Sequence, residues 1–284
     1  MLKPESLCAA VITFEPDAGL AGRVAMLQAQ IPNLLLVDNS ESDWGASAVR
    51  RAAQVLGLDL IENRSNLGVA VAINQALDWA AGQNLPWLLL VDQDTDIRDQ
   101  NLLESYIRVI ESASPETDVA AVGIATRAAQ KGQGRFVETD AVVTSGSLLR
   151  VSAARAVGGA WEDLFVDGVD TEMCYRLRHA GFRILAFEHP AIQHRIGAAR
   201  AVRLFGRTLY VTDHPPVRRY FAARNRLLIA RRHSLPFGIF LFLREEVLAP
   251  MLESRRLAKL GAVVLGILHG MRGITGPAPR LFGQ

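Results

Sequence analysis

Cysteine is scarce in this sequence. Cys8 and Cys174 are the only two, and they form no CxxC pair. They are expected to be buried thiols rather than a disulfide, which fits a reducing cytoplasm. Long apolar runs are missing as well, since no stretch reaches the ~20 residues that span a bilayer. The N-terminus has no basic region followed by a long apolar core, so no secretory signal is expected. The glycine fingerprint GxGxxG is absent, which argues against a dinucleotide redox cofactor. Nucleic-acid motifs are also absent and the formal net charge is only +2, so no nucleic-acid partner is expected.

Half of the 284 residues are hydrophobic, which is ample for a sizeable core. The length fits one large domain, or one domain with an appendage. Charge is unevenly spread. Residues 1–194 carry a net −10, residues 195–232 carry +9 and residues 233–284 carry +3. An acidic body with an Arg-rich segment suggests two tasks: holding a metal, and meeting an anion such as phosphate or anionic lipid.

One stretch organises the rest. Pro86 to Val91 is a short apolar run without helical periodicity, which reads as a buried central strand. It ends in Asp92, Asp94 and Asp96. In extended chain, residues two apart point to one side, so these carboxylates are expected to converge. Like charges so close are tolerable around a cation, and a hard divalent metal is the natural candidate. An acidic turn that caps the segment near Asn101 is the plainer alternative.

The preceding chain alternates strand and helix patterns. Leu7 to Phe14, Leu34 to Val37 and Leu58 to Ile61 read as strands. Leu20, Val24, Leu27 and Ile31, then Trp44 to Leu56, then Val69, Ile73, Ala76, Leu77 and Ala80 mark the helices between them. The first hundred residues thus form a Rossmann-like half, and the class is α/β. Asp38-Asn39-Ser40 ends the second strand, at the edge where open sheets bind ligands; an Asx turn is the plain alternative. Asn66, before Gly68, either caps the next helix or leaves its free amides to an anion. Further on, Val119 to Ile124 and Val142 to Leu149 read as strands, the second with a Gly146 interruption. Ser152 is expected to cap a short helix ending at Gly158-Gly159. A helix is expected to start at Thr171, with acids before it and Arg176, Arg178 and His179 at its end.

These motifs resemble the family-2 inverting glycosyltransferases of GT-A fold, in particular the bacterial rhamnosyltransferase branch. The resemblance covers most of the chain. It rests on Val37-Asp38-Asn39-Ser40, Asn66-Leu67-Gly68-Val69-Ala70 with Asn74, Asp92-Gln93-Asp94, and Thr144-Ser145-Gly146-Ser147. It continues through Phe165-Val166-Asp167, Asp170 and Glu172, His194 with Gly197, and Tyr220-Phe221 with Arg224-Asn225. It implies a GT-A domain over residues 1–232, with a nucleotide-binding half and a mixed central sheet, followed by a helical extension over 233–284.

The resemblance also implies roles. Thr13, Asp38 and Arg64 match positions that hold the base and ribose of a donor nucleotide, with Asn66, Asp92 and Gln93 beside them. Asp94, with Asp92 in support and His194 as a third ligand, would hold magnesium or manganese on the donor diphosphate. Asp170 matches the catalytic base. Many members place Glu-Asp there, whereas this chain has Val169-Asp170, so Asp167 and Glu172 remain alternatives. Arg224 would meet the donor diphosphate or a lipid-linked glycan acceptor, or simply lie on a solvated helix. Chemistry supports the scheme: a metal offsets the diphosphate charge, and a carboxylate across the sugar takes the acceptor proton.

The expected function is transfer of a deoxyhexose, L-rhamnose from dTDP-L-rhamnose, to a saccharide acceptor in bacterial cell-surface polysaccharide synthesis. A hexose from a UDP-sugar is the nearest alternative, and a non-catalytic sugar-nucleotide-binding module the next. The C-terminal apolar runs, Phe237 to Leu243 and Gly261 to Leu268, are flanked by Arg255, Arg256 and Lys259. They are expected to meet an anionic membrane surface, placing the protein peripherally on the inner face of the cell membrane, or to pack on a second copy as a homo-oligomer.

Overall fold

The computed structural model describes residues 6–95, 101–112, 118–124, 136–187, 200–204, 207–211, 213–235 and 242–279. They divide into two compact units. One comprises Met1–Trp161 with Val169–His194, and the other Glu162–Gly168 with Arg195–Gln284.

The first unit follows the alternation in the sequence. Its elements are β1 (Leu7–Thr13), α1 (Leu20–Gln28), β2 (Asn33–Asp38), α2 (Asp43–Leu56), β3 (Asp59–Glu62), α3 (Val69–Gly82) and β4 (Trp87–Asp92). They continue with α4 (Asn101–Ser112), β5 (Val119–Ile124), β6 (Phe136–Glu138), β7 (Ser147–Arg150), α5 (Val151–Ala156), α6 (Val169–His179) and β8 (Arg183–Phe187). The strands form one eight-stranded sheet in the order β3-β2-β1-β4-β7-β5-β8-β6. Strands β1 to β4 are mutually parallel where they pair, while β7 is antiparallel to both β4 and β5. This is the mixed sheet that the resemblance implies.

The central strands read as unbroken apolar runs because both their faces are covered. Leu7, Ala9 and Val11 of β1 and Leu89 and Val91 of β4 share a core with Leu20, Val24 and Leu27 of α1 and Val49 of α2. The alternate residues, among them Ala10, Leu35 and Leu88, are buried on the other face, and α3 packs across β1, β2 and β4. Cys8 and Cys174 are buried free thiols, each pushed up to about 12 by burial. Register aligns the strand ends. Thr13 pairs with Asp38, and Ile12 with Asp92, so the C-terminal ends of three adjacent parallel strands finish level.

Several boundaries differ from the sequence pattern. The expected Val142–Leu149 strand begins only at Ser147, because Gly146 (φ 81°) sits in a turn. Helix α5 begins at Val151 with Arg150 before it, not with a Ser152 cap. Helix α6 begins at Val169, which places Asp170 inside its first turn.

In the second unit, β9 (Arg200–Leu204) and β10 (Arg207–Val211) form an antiparallel pair that the Arg-rich composition concealed. Then come α7 (Pro216–Arg232), a π-helical segment α8 (Leu243–Leu248), the short α9 (Ala249–Met251) and α10 (Arg256–Arg272). Pro216 suits the first turn of α7, where an amide would go unused. Helices α7 and α10 approach closely through glycine. A Cβ on Gly266 would collide with the Tyr220 carbonyl, and one on Gly270 would lie 2.8 Å from the Arg224 carbonyl. No described helix is long and apolar enough to cross a membrane.

Buried charge ties α7, α8 and α10 together. Lys259, 1% exposed, lies 2.8 Å from Glu253 and also pairs with Asp213, while Arg219 pairs with Glu253. Glu246 is buried beside them but only 3.8 Å from Arg219 and 3.9 Å from Arg226, and burial pushes its carboxyl up to about 7. A raised folded-state pKa means that the folded protein binds the proton more tightly, so stability falls as pH rises from about 4.5 to about 7. Glu246→Gln is therefore expected to raise the melting midpoint above pH 7 and to change it little in mild acid. Thermal unfolding across that range reads the difference. An equal effect at every pH would mean that Glu246 does not titrate there.

Candidate active site

At the level ends of β1 and β2, Asp38 is 1% exposed and its Oδ1 accepts three donors. These are Thr13 Oγ1 at 2.8 Å, Ser40 Oγ at 2.7 Å and the Ser40 amide at 3.0 Å. The carboxylate is thereby fixed in place beside the strand edge. Glu15, which the sequence did not single out, accepts the amides of Glu41 and Ser42 and the Ser42 hydroxyl; these donors hold its carboxyl below the usual range. The loop after β1 is thus tied to the loop after β2.

The next loop is braced by amides. Asn39 donates to the Gly68 carbonyl at 3.2 Å, Asn63 donates to Asn39 Oδ1 at 2.8 Å, and Asn63 exchanges bonds with Gln75. Asn66 does not cap α3. Its Oδ1 accepts the Gly68 amide at 3.1 Å in an Asx turn, and the cap position itself is Gly68, at φ 86°. Arg64 also has positive φ, 53°, and its side chain is 80% exposed, with Glu62 3.6 Å away. Of the expected donor-binding residues it is the one whose side chain stands in solvent.

The acidic end of β4 is built differently from the expectation. Extended chain would align Asp92, Asp94 and Asp96 on one side. Instead the strand stops at Asp92 and the Thr95 amide donates to the Asp92 carbonyl at 3.0 Å, so Asp92 and Asp94 share a tight turn. Ser145 braces that turn. Its Oγ accepts the Asp92 amide at 2.9 Å and lies 2.8 Å from Thr95 Oγ1. Both carboxylates are half-buried. Gln93 is bonded to the chain after β1. Its side-chain amide donates to the Phe14 carbonyl at 2.8 Å and accepts the Phe14 amide at 2.7 Å, so Gln93 fixes the chain after β1. Asp96 and His194 lie outside the described residues. Among those residues, no group of three or more His, Cys, Asp or Glu is placed to hold a metal ion. Two half-buried carboxylates in one turn still match the donor set of magnesium or manganese, which takes one or two carboxylates and completes its shell with phosphate and water.

Asp170 opens α6. Its Oδ1 accepts the Thr171 amide at 2.7 Å, and desolvation raises its carboxyl above the ordinary aspartate range despite that bond. Its two rivals are otherwise engaged. Glu172 is fully buried and grips Arg176, Oε2 lying 2.6 Å from Nη2; Arg176 in turn donates to the Val157 and Gly159 carbonyls. Asn74 locks the same turn by accepting the Ala160 amide at 2.7 Å and donating to its carbonyl at 3.0 Å. Asp167, in the second unit, pairs with Arg218 at 2.5 Å.

Arg224 corrects the expectation set for it. It is fully buried, and its guanidinium donates to the carbonyls of Asp163, Leu164 and Gly276 and to Asn225 Oδ1. Asn225 donates to the carbonyls of Leu164, Val166 and Asp167. Arg224 thus shapes the 163–168 loop and is not presented to an anion. Sequence spacing could not reveal this, because the carbonyls it meets lie about sixty residues earlier, at Asp163 and Leu164, and 52 residues later, at Gly276.

Comparison with known proteins agrees with this architecture. The sequence profile of the family described as "Glycosyl transferase family 2" matches residues 10–203. The chain is 25% identical to a dTDP-rhamnosyl transferase, RfbF, of Shigella flexneri, over 95% of this chain and 97% of that protein. It is 26% identical to the galactofuranosyltransferase GlfT1 of Mycobacterium tuberculosis, over 90% and 95%. Among solved structures, a mannosyltransferase of Pyrobaculum calidifontis with GDP-Man and Mn2+ aligns at TM-score 0.55 and 17% identity, over 95% of this chain and 78% of that one. The S. aureus TarS 1-349 structure with UDP-GlcNAc aligns at TM-score 0.54 and 14% identity, over 94% and 81%.

Proposed function

The chain belongs to glycosyl transferase family 2, and from that premise we propose that it transfers L-rhamnose from dTDP-L-rhamnose, with inversion, to a saccharide acceptor of a bacterial cell-surface polysaccharide. One observation carries the choice of sugar: the end-to-end similarity to a dTDP-rhamnosyl transferase. A second reading has its own observation. The similarity to a galactofuranosyltransferase, also end to end, favours a hexose from a UDP-sugar.

In this reading Thr13 and Asp38 hold the nucleoside at the β1–β2 edge, and Arg64 swings in from solvent. Asp92 and Asp94 would hold magnesium or manganese, with His194 as a third ligand, and the metal would offset the charge of the departing diphosphate. Asp170 takes the proton from the attacking acceptor hydroxyl, as its raised pKa suits. Ser145 keeps the Asp92–Thr95 turn closed, and Gln93 keeps the Phe14 main chain against it. Peripheral contact of residues 233–284 with a membrane, and self-association, belong to the same proposal, since the acceptor would be a glycan carried on lipid.

Thermal unfolding with dTDP, UDP or GDP, each with and without manganese, tests this. A ligand of the folded state raises the midpoint, by ~2.7 kcal/mol of stability at a hundredfold excess over its Kd. The expected result is a manganese-dependent shift that is largest for dTDP and absent in Asp94→Ala. A shift confined to UDP would move the sugar to the second reading. No shift with any nucleotide would defeat both.

A further inference from the structure

Helix α10 is packed inside out. Its buried face carries small residues, Ala262, Val263, Gly266 and Gly270, with Lys259 sealed into the ionic cluster. Large apolar residues occupy the opposite face: Leu257 is 86% exposed, Val264 57%, Leu268 43% and Met271 68%. Their spacing, with Gly261 between the first two, follows a single helical stripe. From Leu257 to Met271 no exposed side chain on the helix is polar. The polar residues in that span are taken up internally, Lys259 by Glu253 and Asp213, and His269 by the Tyr220 hydroxyl at 2.8 Å. A water-facing helix surface would be polar, and a stripe of this length marks a docking face.

Charge indicates the occupant. Arg255 and Arg256 are exposed at the start of α10 and Arg272 at its end, where Arg231 of α7 reaches within 3.6 Å of the position a Cβ would take on Gly273. The helix exposes no acid. A second copy docked on this face would set arginine against arginine in either orientation of the two helices, which disfavours self-pairing. A bilayer of anionic phospholipid satisfies both features. Acyl chains take the stripe and headgroups take the arginines at its ends. The helix has 17 residues, roughly 25 Å at the ~1.5 Å rise per residue, and it is not long and apolar enough to cross a bilayer.

We infer that the outer face of α10, formed by Leu257, Val264, Leu268 and Met271 between arginine ends, is the surface by which this protein lies on an anionic membrane. This rests on, and specifies, the peripheral membrane contact of the proposed function. The test is flotation of the full chain with vesicles of phosphatidylcholine alone or mixed with phosphatidylglycerol. Binding is expected only to the mixed vesicles and is expected to weaken in high salt. Leu257→Asp with Leu268→Asp should weaken partitioning by about tenfold or more, because the apolar contact is lost. Replacing Arg255, Arg256 and Arg272 with Ala should do so to a similar degree. Both variants alter exposed positions and should keep the wild-type melting midpoint and its nucleotide shift, which separates failure of this inference from failure of the donor reading. Equal binding to neutral vesicles, unchanged binding by the variants, or loss of a wild-type dimer in the aspartate variant would overturn it.

Discussion

Asp170→Asn is expected to lower turnover by about a thousandfold while leaving the nucleotide-dependent rise in melting midpoint intact. Asparagine keeps the oxygen that accepts the Thr171 amide, so the start of α6 is preserved and only proton acceptance is lost. The wild-type pH profile should carry the same signature. A base acts deprotonated, and burial raises this carboxyl. The acid limb of kcat/KM should therefore fall at a pH above the ordinary aspartate value, as Asp170 takes up its proton. Glu172→Gln offers the contrast, since it unseats Arg176 from a buried pair and should cost stability first. Asp170→Asn with near wild-type turnover would remove Asp170 as the base.

Arg224→Ala is expected to destabilise the protein by about 3–5 kcal/mol, a fall in midpoint on the order of 10 °C. The guanidinium is fully buried, flanked by Tyr220 and Phe221, and it donates to the carbonyls of Asp163, Leu164 and Gly276. The loop it clamps is not self-supporting. Phe165 and Asp167 have positive φ of 66° and 62°, a conformation that side-chain-bearing residues keep only when their surroundings enforce it. That loop leads directly into Val169 and Asp170, so part of the loss should also appear in turnover. The nucleotide-induced shift should persist in the variant. If the midpoint were unchanged and the nucleotide shift vanished, Arg224 would be a phosphate ligand after all.

The sequence by itself determined the α/β class, the strand–helix alternation of the first hundred residues and the family. These come from local rules: apolar runs without helical period become buried strands, and motifs of fixed spacing fall at strand ends. It also marked Asp38, Asp92, Asp94 and Asp170, because acids at the ends of buried strands or in a helix's first turn are conspicuous in one dimension. Only the tertiary structure decided how they are held. The Asp92–Thr95 turn replaced the expected extended array because Ser145, from a distant loop, closes it. Glu172 is held by Arg176, and Arg224 by loop carbonyls. The inverted packing of α10 was equally hidden. Its sequence is apolar nearly all round, and only the neighbouring α7 determines which face is buried. Hydrogen bonds and burial are made between residues far apart in the chain, and no local pattern records which partner a polar side chain will find.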